Sequence, residues 1–449
     1  MKTPTLLLIV LCWGSIKAQE HFAGISTSKR TGILNATINP AELANIADSS
    51  EVHIFAVSAN LTNNKLGFSD LVKSNNFEDD IFSGSKPTSF RADLEILGPG
   101  YARKVKKWVF AITTAGKTKA NIVDINTELG RAVINSNNAE TVETASAVLV
   151  NYNQKATATT WGEVNLSAAR ELYDDGQNRF TAGVSFKLLF PGTYAKMNAS
   201  DFKGTITENN NRPALTDASS TVNFAYSGSL ANNFNDSSNF FDYFGNGVHG
   251  FAVDLGINYQ WKQPDDSGYK INAGASFRNL GSMTFKDSNN QSNSYNVTVP
   301  NGQYLDLNQF KGASSIQRIE DLLVQSGYAQ IYKSAKDFKV TLPATFSAYA
   351  DVKVYNNWYL TAYTQQKLHQ DYEDSQIAVQ NIVTITPRFS ADKYEFYAPL
   401  SSNKISGFNA GVGFRYGGFF IGSGSLITAM LNNTDTHQAD GYIGFRTSF

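Results

Sequence analysis

The chain has 449 residues, with 38 Lys and Arg against 39 Asp and Glu, a formal net charge of −1, 34 glycines, 11 prolines and one cysteine. A near-neutral balance gives no reason to expect nucleic acid, whose partners carry concentrated basic surface, and a single thiol excludes a disulfide framework or a cysteine metal site. A mean hydropathy of −0.28 with 12% aromatic residues is wrong for a bundle of membrane helices. It suits membrane strands, where a lipid-facing apolar set is cancelled by a polar inward set.

In chain order, Met1 and Lys2, the apolar run 6–12 and the sequence Ser15-Ile-Lys-Ala18 predict a secretory signal peptide, residues 1–18, cut after Ala18. Its apolar run is too short for a helical span. Cys12 leaves with it, and Val10 and Leu11 before that cysteine are not the small residues of a lipoprotein-type site. Residues 19–50 follow, with Asn39-Pro40-Ala41 at the centre of "NATINPAELA"; Asn-Pro favours a turn and Pro40 cannot donate to a ladder.

From 51 to 449 the chain alternates. Phe55, Val57, Ala59 and Leu61 share a face, as do Phe90, Ala92, Leu94 and Ile96, then Trp108, Phe110 and Ile112. At 164–173 Val164, Leu166 and Ala168 keep a two-residue period, so a strand is expected there rather than a helix; after Asp174-Asp-Gly-Gln-Asn178 it returns as Phe180, Ala182, Val184, Phe186 and Leu188. The stretch "FAVDLGINYQWK" (251–262) sets six large side chains against Ala252, Asp254, Gly256, Asn258, Gln260 and Lys262. Such a run is long for a soluble sandwich and fits the roughly nine to eleven residues of a membrane strand. Tyr269, Ile271, Ala273, Ala275 and Phe277 come next as an outward set, then Phe346 to Val354, the turn Asn356-Asn357, and Trp358, Leu360 and Ala362. Near the end Ala410, Val412, Phe414 and Tyr416 reach Gly417-Gly418 and reverse into Phe420, Gly422, Gly424 and Leu426. The expected fold is all-β: an antiparallel up-and-down transmembrane β-barrel of fourteen strands near 52–61, 90–97, 107–115, 159–172, 179–190, 251–262, 269–279, 338–355, 358–366, 377–388, 393–399, 408–417, 419–426 and 440–449. Short turns then fall at one end and the long excursions 62–89, 116–158, 191–250 and 280–337 at the other; 147–152 and 221–230 are assigned to those loops, since counting either alone breaks the even parity.

The final "GYIGFRTSF" sets Ile443, Phe445, Thr447 and Phe449 opposite Tyr442, Gly444, Arg446 and Ser448. The spacing Tyr442, Gly444, Thr447, Phe449 resembles the closing-strand signal that the assembly machinery of bacterial outer-membrane barrels reads, with Thr447 where an aromatic is more usual. The "N-P-A" between a signal peptide and a barrel, the "DLGINYQW…NLG" hairpin, "LP" at 342–343 and "TPRF…YAPLS…GFRYGGFFIGSG" (386–424) resemble the FadL-type long-chain fatty-acid transporters and their relatives in Bacteroidetes-like bacteria, including PorV-like and PorP-like proteins of a protein-secretion system. That resemblance implies a lumen plugged by the N-terminal segment. In FadL a hydrophobic ligand enters from outside and leaves sideways through a kinked strand next to the plug. None of its ligand contacts has a matching motif in this chain.

Catalysis is not indicated, since no serine, histidine and carboxylate stand together with specificity. His369, Asp371, Glu373 and Asp374 invite a metal reading, but their spacing matches no ligand frame and they read as solvated loop carboxylates, so neither a metal nor a cofactor is expected. "GNGVHG" (245–250) precedes a strand rather than following one, which removes the phosphate-cradle reading. Ile316, Ile319, Leu322 and Leu323 share a helical face, with Ser314 three residues ahead of Gln317 as a capping box. This helix either covers the barrel mouth or is a lid or partner surface, and Phe240, Phe241, Tyr243 and Phe244 either pack internally or form a contact site. The function expected is that of a non-enzymatic outer-membrane subunit or docking platform in an envelope assembly, in contact with membrane lipid, the barrel-assembly machinery and other envelope proteins. The alternative is a passive transporter of small hydrophobic molecules.

Overall fold

The computed structural model describes residues 21–28, 30, 32–73, 80–134, 146–234, 244–263, 268–373, 375–432 and 436–449. Fourteen antiparallel strands close into a barrel, which leaves no free edge inside a membrane. They are β1 (Ser50–Asn63), β2 (Thr88–Val105), β3 (Trp108–Ile125), β4 (Gln154–Asp174), β5 (Asn178–Asn209), β6 (Gly250–Lys262) and β7 (Tyr269–Phe285). Then come β8 (Phe338–Thr341 with Thr345–Tyr355), β9 (Trp358–Lys367), β10 (Ile382–Ser390), β11 (Tyr394–Tyr397 with Leu400–Asn403), β12 (Gly407–Ala410 with Val412–Tyr416), β13 (Phe419–Ser423) and β14 (Gln438–Ser448). Each pairs with the next, and β14 pairs with β1, Val52 opposite Thr447. The predicted signal peptide, Phe240, Phe241, Tyr243 and Asp374 lie outside the described residues.

Alternation fixes which side chains face lipid. Phe110 is 50% and Ile257 63% exposed on the outer face, while Asp254, Asn258 and Gln260 are buried inside. Two expected outward residues turn in instead. Tyr269 follows a register shift between Trp261 and Lys262 and donates its hydroxyl to the Asp351 carboxylate. Phe420 is fully buried against Phe22 and Tyr442, and Ile421 takes the outward place. The tenth strand starts at Ile382 rather than 377, because 377–381 fold into the barrel mouth, and the thirteenth ends at Ser423, before a short helix, Leu426–Leu431.

The described parts of the long excursions carry further strands. The outer half of β5 continues past the barrel and pairs with Arg212–Ser227, which pairs with Gln291–Val299 and then Ala329–Ala335. Ser146–Val150 joins the other side of β5. The segments 147–152 and 221–230 thus contribute strands to an outer sheet and none to the barrel circuit. The helix Ile316–Gln325 is capped by Ser315, not Ser314: its side chain accepts from Arg318 N–H. Ile316 and Leu323 are buried with Phe202, Leu215, Val222 and Phe224 in a separate outer core, and Ile319 packs against it. This apolar face is therefore covered by the chain itself and is not a free lid or docking surface. Glu320 within it accepts from Asn293 and from the Tyr295 hydroxyl; burial and then that carboxylate push the nearby Tyr226 phenol well above its ordinary range.

Candidate functional site

The lumen is filled from both ends. From the short-turn end, residues 21–46 enter as a plug, with a helical turn Ile33–Ala36 and a 3₁₀ turn Pro40–Asn45. Asn39 caps the second turn by accepting from Ala41 N–H at 3.0 Å, and Pro40 occupies the first turn, where a missing N–H costs nothing. The Asn39 amide also donates to Ile257 O at 2.8 Å and the Tyr349 hydroxyl at 3.1 Å. The wall admits this motif through absent side chains. A Cβ on Gly183 would stand 2.4 Å from the Pro40 carbonyl, and one on Gly256 would stand 1.9 Å from Asn39 Oδ1.

Behind the motif, the buried Glu42 carboxylate accepts from Asn45, Asn258, Asn272 and the Tyr349 hydroxyl. Thr181 donates to Ala41 O, Ser276 to Ile38 O and Arg278 to Thr37 O. At the barrel seam, Glu51 accepts from Ile33 N–H at 2.7 Å and pairs with Arg446 at 2.9 Å, which also donates to Arg30 O. Ser28 donates to Glu395.

Above the plug a belt of alternating charge crosses five consecutive strands. Lys117 lies 3.4 Å from Glu95 and 3.6 Å from Glu163, and Lys187 lies 3.9 Å from Glu163 and 2.8 Å from Asp254. A second arc joins Asp351, Arg388, Glu395 and Arg415. Every one of these charges has an opposite neighbour, as burial in a low-dielectric interior demands. Alternation along 251–262 puts Asp254 inward but says nothing of the rest of this belt. Its signal was present: Arg91, Asp93 and Glu95 alternate with Ala92, Leu94 and Ile96, and Lys187 stands between Phe186 and Leu188, all charges at inward positions of spanning strands.

At the other end the 368–381 loop closes the mouth. Asp371 pairs with Arg91 and Lys367, both at 2.8 Å; Lys155 donates to Glu373 O, and Ile377 and Val379 are buried. Asp371 is therefore a half-buried ion-pair partner rather than a fully solvated loop carboxylate. Burial pushes its carboxyl up, but the two cations more than offset that and hold it below the ordinary value. His369 lies 3.3 Å from Glu373, and no metal-holding cluster occurs among the described residues.

Between plug and mouth three cavities follow one another. The outermost, about 100 Å³, is lined by Arg91, Asp371, Asn381 and Val379; the middle one, about 80 Å³, shares Val379 and reaches Phe22, Trp161 and Arg278. The third, about 40 Å³, shares Thr37, Glu95, Lys117 and Lys187 with the middle one and ends against Leu97, Ala111 and Ala115. There β2 carries a bulge: its register with β3 shifts by one residue between Leu97 and Gly100 while its register with β1 is kept, and Thr114 donates to the Pro99 carbonyl.

The remaining expected site residues lie elsewhere. Tyr442 points inward and donates to Ala23 O, Gly444 lies under Phe420, Thr447 pairs with Val52, and Phe449 is exposed at the foot of the seam. Phe244 is 45% exposed and touches the Phe190 ring.

A family model described as a family of unknown function, DUF5723, matches residues 44–424. The chain belongs to that family. Among solved structures, the DUF5723 barrel is similar to the Pseudomonas putida toluene transporter TodX, at 10% identity and a TM-score of 0.48, covering 97% of this chain and 99% of that one. It is also similar to the Ralstonia pickettii toluene transporter TbuX (10%, 0.41, 94% of each chain) and to a Pseudomonas aeruginosa FadL homologue (8%, 0.41, 96% and 98%). No curated protein sequence matches the DUF5723 chain.

Proposed function

We infer that this DUF5723 barrel is a non-enzymatic integral outer-membrane protein of a Gram-negative bacterium, and that it serves as a plugged, passive conduit for small hydrophobic molecules. The observation that carries the reading is the run of three cavities, linked by shared lining residues, from the mouth loop to the inner side of the bulge in β2. A route that ends against a bulged stretch of wall points its cargo sideways toward the membrane, which suits a molecule more soluble there than in water. Phe22, Ile38 and Trp161 supply apolar contacts along it, and the neighbouring charges, being paired, present little net field.

The docking-platform reading has one supporting observation: Leu149, at 80% exposed, and Ile331 and Tyr332 lie on the two edge strands of the outer sheet. It leaves the lumen cavities without a role and stands second.

The test is uptake of the fluorescent apolar probe N-phenyl-naphthylamine by cells expressing the protein. Uptake should exceed that of cells lacking it, and should return to background when Pro99 is deleted and the bulge in β2 removed. Equal uptake in all three strains defeats the conduit reading.

A further inference from the structure

The turn between β2 and β3 is built unlike the other short turns. Arg103, Lys104, Lys106 and Lys107 stand together there, all exposed, with Arg170 exposed on the adjoining strand. Lys107 is paired with Glu171 at 3.4 Å. Arg103, Lys104, Lys106 and Arg170 have no carboxylate in ion-pair contact among the described residues. The neighbouring turns at the same end carry Asp174 and Asp175, Asn356 and Asn357, Asp392 and Lys393, and Gly417 and Gly418, so the unbalanced positive charge is concentrated at one place on the rim.

Its position matters as much as its sign. Immediately toward the membrane, Tyr101, Trp108 and Phe110 form part of the lipid-facing surface, with the Trp108 and Phe110 rings stacked at 5.8 Å. The Arg170 guanidinium lies over the Trp108 ring at 5.1 Å. Tryptophan and tyrosine mark the depth at which acyl chains give way to headgroups. A cation fixed beside such a ring is held at phosphate level, and cations with no carboxylate beside them at that level lack only an anion.

The geometry points to a binding site for an anionic phospholipid headgroup on the short-turn end of the barrel, formed by Arg103, Lys106 and Arg170, while Lys104, opposite Val109 on the inner face, adds only to the local charge. The phosphate lies among Arg103, Lys106 and Arg170 and its acyl chains run along Tyr101, Trp108 and Phe110. Each basic residue near a charged membrane surface adds to the attraction, and salt weakens the sum.

The experiment uses the full-length protein purified in a mild detergent, with phosphatidylglycerol and phosphatidylcholine titrated in competition and the bound lipid read by native mass spectrometry. The protein should prefer phosphatidylglycerol, and the triple substitution Arg103→Gln, Lys104→Gln, Lys106→Gln should reduce its retention on the order of tenfold while leaving phosphatidylcholine retention unchanged. The difference in gel mobility between heated and unheated samples shows that the variant still folds. Equal retention of the two lipids by the native protein, or unchanged phosphatidylglycerol retention by the folded variant, overturns the assignment. Binding of polyglutamate with no preference for phosphatidylglycerol overturns it too, and would give the turn to an acidic protein.

Discussion

Replacing Gly256 by valine should release the plug and leave the barrel intact. The glycine lies inside β6, paired with Gly183 and Ser276, and those ladder bonds do not involve its side-chain position. A Cβ there stands 1.9 Å from Asn39 Oδ1, about 1.5 Å short of ordinary contact, and 3.0 Å from Pro40 Cδ. The wall strand is held on both sides, so the plug must yield. A shift of that size breaks the Asn39 bonds to Ile257 and Tyr349, worth about 1 kcal/mol each. It also pulls Glu42 from Asn258 and Asn272, where bonds to a carboxylate are worth about 1.5–3 kcal/mol each. Water replaces part of this, leaving roughly 3–5 kcal/mol against docking, or about two to three and a half powers of ten in the docked equilibrium. Two assays read it: protease cleavage of the segment 32–46, and ionic conductance in a planar bilayer. Both should rise, while the heat-dependent gel mobility of the folded barrel stays unchanged. A folded variant whose plug remains protected and whose conductance matches the native protein would refute the argument that these glycines seat the plug.

The remaining predictions concern the charges. Lys187→Met leaves Glu163 and Asp254 buried with a partner removed and should lower stability by about 3–5 kcal/mol in denaturant titrations of the detergent-solubilised protein, whereas Lys187→Arg should retain most of it. Asp371 has its folded pKa held below the ordinary value, so its contribution to closing the mouth is full above the unfolded pKa, about 3.9, and is lost as pH falls through the lower folded value. Protease sensitivity of the 368–381 loop should therefore rise only below about pH 4. Arg91→Gln should move that onset to higher pH, and an onset near neutrality would contradict the Arg91–Asp371 pairing.

The barrel was legible because alternation is a local property: Phe251 to Trp261 announces its lipid face whatever the rest of the chain does. The same rule failed at Tyr269 and Phe420, where a bulge and a contact with Phe22 reset the phase, and neither event leaves a mark within its own strand. Asn39-Pro40-Ala41 could be recognised as non-strand, but its seat could not, since Gly183, Gly256 and Gly274 gain their meaning only when three strands stand side by side. The charged belt shows the same limit. Lys117, Lys187 and their carboxylates are far apart in the chain and become partners only through strand register. Ile316 and Leu323 announced a helix, yet whether their face was free or covered depended on a sheet whose strands come from four separate stretches.

The seam between the first and last strands imposes an order of assembly. Val52 meets Thr447 only after nearly the whole chain has been placed, and the same junction supplies Glu51 and Arg446, which grip the N-terminal segment at Ile33 and Arg30. Such a distant contact is entropically the last to form. Until it does, the nascent cylinder has two raw edges and an unsecured interior, so sealing the wall and stoppering the bore become a single late event.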